Sequence, residues 1–112
     1  MKTPEEIERE QHVKFCKEYP SKIKSAVDSC TSMAKSFHGY FVATKCSGVT
    51  SQTWNVGLSV KDIFEAGYSQ TIEPGPNCRE DAGFALEATI ARCDAGGSKY
   101  QAALISHCSD VN

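Results

Sequence analysis

The stretch PGPNCREDAGFALEATIARCDAGGSKYQAALISHC, residues 74–108, decides how the fold is read. Pro74-Gly75-Pro76 continues neither a helix nor a strand and marks a loop. Asn77 follows as a helix N-cap, with Glu80 and Asp81 in the first turn, where the helix dipole favours acidic side chains. Cys78, Ala82, Ala85, Leu86, Thr89 and Cys93 then fall on one stripe, with Ile90 beside it. Asp94-Ala95-Gly96-Gly97 predicts the end of that helix. Ser98–Cys108 reads in two ways. As a strand it places Tyr100, Ala102, Leu104 and Ser106 on one side; as a helix it starts from a Ser98/Gln101 capping box and is the preferred reading.

Upstream of this stretch, Trp54, Val56, Leu58 and Val60 alternate with polar residues, a strand pattern. Tyr40–Cys46 is rich in aromatic and β-branched residues and predicts a partner strand, so that residues 40–60 form a hairpin with one buried face. Residues 61–67 read as a short helical turn ended by Gly67, and residues 68–72 as a short strand. At the N-terminus, Thr3-Pro4-Glu5-Glu6 combines a cap, a proline at the first helical position and a capping-box glutamate. That helix is expected to reach about Glu18 and to be stopped or kinked by Pro20. From Ser21, the positions Ile23, Ala26, Val27, Cys30, Met33 and Ala34 predict a second helix, ended by Ser36-Phe37-His38-Gly39.

These elements predict an α+β fold: a small disulfide-stabilised sandwich of helices on an antiparallel sheet. Residues 1–112 form a single domain on this reading, with residues 1–18 as a peripheral N-terminal helix. Hydrophobic residues at 40% and charged residues at 23% exclude a disordered tail. No apolar run approaches the ~18 residues of a membrane span. A net charge of −2 gives no global field favouring nucleic acid. The charge is uneven, however: residues 1–56 carry eight basic against six acidic side chains, and residues 57–112 four against eight. Lys14, Lys17, Lys22 and Lys24 read as a solvated helix face, or else as a contact patch for an acidic partner.

Cys16, Cys30, Cys46, Cys78, Cys93 and Cys108 make an even count in a short chain, which predicts three disulfides and an oxidising compartment. Packing two cysteine-bearing helices antiparallel suggests the pairs Cys16–Cys93, Cys30–Cys78 and Cys46–Cys108. There is no C-x-x-C pair, and His107 precedes Cys108 without a second ligand at zinc-finger spacing, so no metal site is assigned. Residues 1–15 hold no apolar signal-peptide core; a secreted chain of this sequence would be a mature form whose Met1 is not native. No G-x-S-x-G elbow and no phosphate loop occurs, so no catalytic or cofactor-binding residue is assigned and no cofactor is expected.

From Asn77 to Gly97, the cysteine-flanked helix with small and apolar positions, Ile90, and then Cys93-Asp94-Ala95-Gly96-Gly97 resembles a pattern in small secreted cysteine-rich fungal proteins. These are killer-toxin-like proteins and effectors of plant-pathogenic fungi. His107-Cys108 on a short C-terminal element is also similar. The resemblance implies an α+β sandwich, an extracellular location, no enzymatic activity and a virulence or competition role exerted on other cells. The expected function is therefore a secreted, disulfide-stabilised, non-enzymatic binding protein, effector-like or toxin-like, acting through surface loops on a protein or cell-surface target. One alternative is an extracellular inhibitor presenting the Pro74–Cys78 loop, or a carrier of small apolar ligands with a cavity lined by Trp54, Phe41 and Phe84. Another is a small histidine-dependent hydrolase or nuclease using His38 and His107.

Overall fold

A computed structural model describes residues 1–111 as a rod of 70 × 21 × 15 Å. Its elements are α1 (Pro4–Thr44), β1 (Gln52–Val60), β2 (Phe64–Ile72) and α2 (Cys78–His107). Two helices pack against each other and on a two-stranded antiparallel sheet, an α+β arrangement closed by three disulfides.

The start of α1 follows its sequence. Thr3 lies in extended backbone and its hydroxyl oxygen accepts from the Glu6 N–H at 3.2 Å. The helix does not stop at Pro20, at Ser36–Gly39 or before Tyr40; it runs for 41 residues. Pro20 removes one N–H from the helix ladder, the one that would have met the Cys16 carbonyl, and the helix carries on past it; two side chains bond to backbone carbonyls nearby. Ser21 Oγ donates to the Glu18 carbonyl at 2.9 Å, and Gln101 Nε2 of α2 donates to the Pro20 carbonyl at 3.2 Å. Residues 40–44 of the expected strand form the last turn of α1, and Lys45 and Cys46 follow it as a turn. Phe37 and Phe41 lie four residues apart and both pack on Trp54, so burial on a helical face outweighs the strand propensity of this segment.

The hairpin is formed by β1 and β2, not by residues 40–60. Its register runs from Gln52↔Ile72 to Val60↔Phe64. Lys61 and Asp62, at φ 50° and 57°, make the turn, closed by the Ile63 N–H donating to the Val60 carbonyl at 2.9 Å. Two consecutive left-handed residues match the twist of the flanking strands, and this turn replaces the expected helical segment at 61–67. The inward face carries Trp54, Val56, Val60, Phe64, Ala66 and Ile72. Trp54 is fully buried, and its indole N–H donates to Thr89 Oγ1 at 3.1 Å; the Thr89 hydroxyl donates in turn to the Ala85 carbonyl. That chain satisfies the one buried polar side chain of the core.

Gly96-Gly97 does not end α2, which continues to His107. The two glycines serve close packing. A Cβ at Gly96 would lie 2.5 Å from the Phe64 ring, and one at Gly97 would lie 2.3 Å from Val27 Cγ2. Ser98 and Gln101 therefore lie inside a helix and cap nothing; the C-terminal segment is helical, as preferred, but as the continuation of α2.

The disulfides are Cys16–Cys108, Cys30–Cys93 and Cys46–Cys78, so none of the three expected pairs forms. The expected pairing treated Cys16 as lying outside the helix that carries Cys30, and Cys108 outside the helix that carries Cys93. With α1 and α2 each continuous and antiparallel, the first cysteine meets the last. Partner numbers add to 124, 123 and 124, and the paired residues of the hairpin also add to 124. Within each half of the chain cysteines recur every 14 to 16 residues, about four helical turns, which returns each to the seam between the helices; the 32-residue interval from Cys46 to Cys78 spans the hairpin.

Gly97→Ala is expected to lower stability by about 1–3 kcal/mol through overpacking, with Val27→Ala in the same chain restoring most of the loss. Gly83→Ala, where nothing lies within 4 Å, is expected to gain up to about 1 kcal/mol of helix propensity. Thermal unfolding followed by circular dichroism measures all three.

Candidate functional site

The sheet does not reach the end of the helix pair. Nine-residue strands span about 30 Å, whereas α1 and α2, at 41 and 30 residues, span about 61 and 45 Å. The hairpin packs from Cys78 and Ala82 at one end to Ile23 and Leu104 at the other. Beyond its turn, the sheet-side face of the helices is bare as far as the Cys16–Cys108 bridge. This uncovered shelf is aromatic.

Phe15 and Tyr19, one turn apart on α1, stack at 4.5 Å between ring centroids. From α2, His107 meets Phe15 edge-on at 5.7 Å and His12 edge-on at 5.0 Å. Tyr100 lies seven residues before His107, on the same helix face, and approaches Phe64 at 6.2 Å. Phe15 and Tyr100 are each 39% exposed. A groove lined by Asp62, Phe64, Glu65, Gly96, Lys99 and Tyr100 adjoins the shelf beside the hairpin turn.

Polar contacts fix the outer end. His12 Nε2 lies 2.9 Å from Asp110 Oδ1 and 3.7 Å from Cys16 Sγ. The Arg9 guanidinium donates to both the carboxylate and the backbone carbonyl of Asp110. The chain after α2 is thus folded back onto α1 by one disulfide and two cationic or hydrogen-bonding side chains. The His12 hydrogen bond first, and the Arg9 hydrogen bond second, lower the Asp110 carboxyl from 3.8 to about 2.

The structure separates the two histidines proposed from sequence. His38 packs towards Trp54, at 6.2 Å, and is level with Leu86; His107 lies about 30 Å further along α2. The partner of His107 is His12. Trp54 and Phe41 are sealed in the core, whereas Phe84 is 57% exposed and half a helical revolution from Cys93, so the three do not line one cavity. All six cysteines are bridged, and among the described residues no group of three His, Cys, Asp or Glu side chains is placed to hold a metal ion. Also among the described residues, no helix is long and apolar enough to cross a membrane. The Pro74–Cys78 loop leads into α2; just before it, Glu73 accepts from Ser51 Oγ of the α1–β1 loop at 2.6 Å. No sequence signal marked Phe15, Tyr19 and Tyr100 as a group, because the shelf depends on where the hairpin ends.

No family model, curated protein or solved structure matches the chain. The three disulfides point to an oxidising, extracellular-type environment.

The lowered Asp110 pKa carries a signed prediction. The carboxylate contacts contribute fully above the ordinary carboxylate value of about 3.9 and are lost as pH falls through about 2. A carboxyl-carbon NMR titration is expected to place the Asp110 midpoint near 2. His12→Ala should raise that midpoint towards the ordinary value, and by more than Arg9→Ala does.

Proposed function

We propose that this chain is a secreted, non-enzymatic binding protein, effector-like or toxin-like, that recognises a protein or cell-surface target through the aromatic shelf. The observation that carries this reading is the set Phe15, Tyr19, Tyr100 and His107, left uncovered by the sheet and held on two disulfide-joined helices. Aromatic side chains on a rigid support lose little freedom on binding, and they dominate the energetics of protein interfaces. The groove beside Tyr100, with Asp62 and Glu65 on its rim, offers acidic neighbours to a basic or mixed-charge target. The fungal toxin-like and effector-like resemblance of residues 77–97 agrees with a target on another cell, in a host or a competitor.

Fluorescently labelled protein is expected to bind intact plant or yeast cells saturably and to be displaced by unlabelled protein. Phe15→Ala and Tyr100→Ala should each weaken binding by about tenfold or more, as aromatic hot spots do, with unchanged circular dichroism. Absence of saturable binding, or full binding by both variants, would sink the reading.

A second reading, a histidine-dependent hydrolase or nuclease, moves from His38 and His107 to His12 and His107. It is favoured by the 5.0 Å separation of those rings and by the Asp110 carboxylate on His12. Here Asp110 would orient His12 as a general base and His107 would serve as the acid. Cleavage of a dinucleoside phosphate or an activated ester that falls by a hundredfold or more in both His12→Ala and His107→Ala is its expected signature. Equal rates in the unaltered protein and both variants would remove it.

A further inference from the structure

The three bridges differ in how open they are. Cys30 and Cys93 are both fully buried, and Cys46–Cys78 pairs a partly open cysteine with a buried one. Cys16–Cys108 is the bridge in which both half-cystines are partly accessible. Both also line a surface groove whose walls include Leu104, Ile105 and Val111. Exposed bridges are the ones that exchange with thiols.

This bridge lies outboard of the core. The first buried residue of α1 is Ile23 and the last of α2 is Leu104. Beyond them the helix ends are joined by the bridge, by Arg9 and His12 on Asp110, and by Phe15 against His107. If the bridge opens, Cys30–Cys93 and Cys46–Cys78 still join the two helices.

His12 supplies what an exchange step needs. Its Nε2 lies 3.7 Å from Cys16 Sγ and 2.9 Å from Asp110 Oδ1. A bridged sulfur carries no hydrogen, and the Asp110 carboxyl is ionised above about 2. Both neighbours of Nε2 are therefore acceptors, which fixes the hydrogen on that nitrogen. Arg9 holds the same carboxylate, so the imidazole is braced beside the sulfur. A thiolate formed at Cys16 would accept from this N–H. A thiolate stabilised in this way is the better leaving group.

We propose that Cys16–Cys108 is a thiol–disulfide exchange site for a small external thiol. The thiol gives its proton to solvent, and its thiolate attacks Cys108 Sγ. A new S–S bond joins it to Cys108 as the Cys16–Cys108 bond breaks, and the electron pair leaves on Cys16, facing His12. Reverse attack by Cys16 expels the thiol and restores the bridge, so the cycle needs no outside oxidant. A partly covered bridge in a groove admits a small thiol more readily than one fixed on a folded surface. The inference needs neither the binding nor the hydrolytic reading above, and its test scores neither cell binding nor hydrolysis.

The oxidised chain is incubated with reduced glutathione at neutral pH, quenched with an excess of alkylating agent and mapped by mass spectrometry. The first product is expected to carry one glutathione on Cys108 and an alkyl group on Cys16, with the other two bridges intact. His12→Ala should slow its formation by about tenfold, and His12→Lys, which returns a cationic donor near Cys16, should recover most of the rate. Loss of a merely structural contact would loosen this end and speed the exchange instead. Near-UV circular dichroism checks that each variant is folded. A folded protein with one surface thiol should react at least about tenfold more slowly than glutathione; equal rates overturn the assignment to a small thiol. Opening of another bridge first, glutathione on Cys16, or an undiminished rate in His12→Ala overturns the site itself.

Discussion

Three sulfur bridges hold two antiparallel helices in one register, and every other feature takes its position from that register. Each bridge joins residues whose numbers add to 123 or 124, and the strand pairs obey the same sum. The chain is in effect folded once, at Lys61-Asp62, and every level of the rod is fixed by the level before it. A bridge closing a long loop restricts the unfolded chain by about 3–5 kcal/mol in the chain-entropy model. For so elongated a molecule, with a core split into two clusters along its length, the three restrictions together are comparable to the whole net stability of an ordinary domain.

The length mismatch between helices and strands turns this scaffold into a surface with distinct regions. Where the hairpin covers the helices, small residues and Trp54 fill the space between the layers. Where it stops, the same helix face becomes the aromatic shelf. Phe15, Tyr19 and His107 crowd there, on helix ends held together by the Cys16–Cys108 bridge and by the contacts of Arg9 and His12 with Asp110.

Much of the local structure was legible from the chain alone. Thr3, Pro4 and Glu6 mark the start of α1, the alternation from Trp54 to Val60 marks β1, and the stripe from Cys78 to Cys93 marks the first half of α2. Three of the misreadings have a common setting. Pro20, Tyr40–Cys46 and Gly96-Gly97 are all local signals for breaking a helix, and at each the helix continues and makes contacts with distant parts of the chain. Gln101 meets the Pro20 carbonyl, Trp54 receives Phe37 and Phe41, and Phe64 and Val27 occupy the space a Cβ would take at the glycines. Propensity is worth tenths of a kcal/mol for an ordinary residue and about 1 kcal/mol for a glycine, against ~1.5–3 kcal/mol for one fully buried aromatic; an interior proline costs about 3 kcal/mol, which the rest of the 41-residue helix absorbs. The wrong disulfide pairing followed directly, because shortened helices hide the simple order of first with last. The shelf could not be seen for the same reason: its aromatics become neighbours only once both helices are known to pass the hairpin turn.

The nesting of the bridges has a consequence for how the molecule withstands damage. Each one encloses the next, so a single backbone cut at any point between Cys16 and Cys108 releases no fragment. A protease that severs the exposed bend at Lys61-Asp62 would convert one chain into two that still travel together as a single particle until the bridges are reduced.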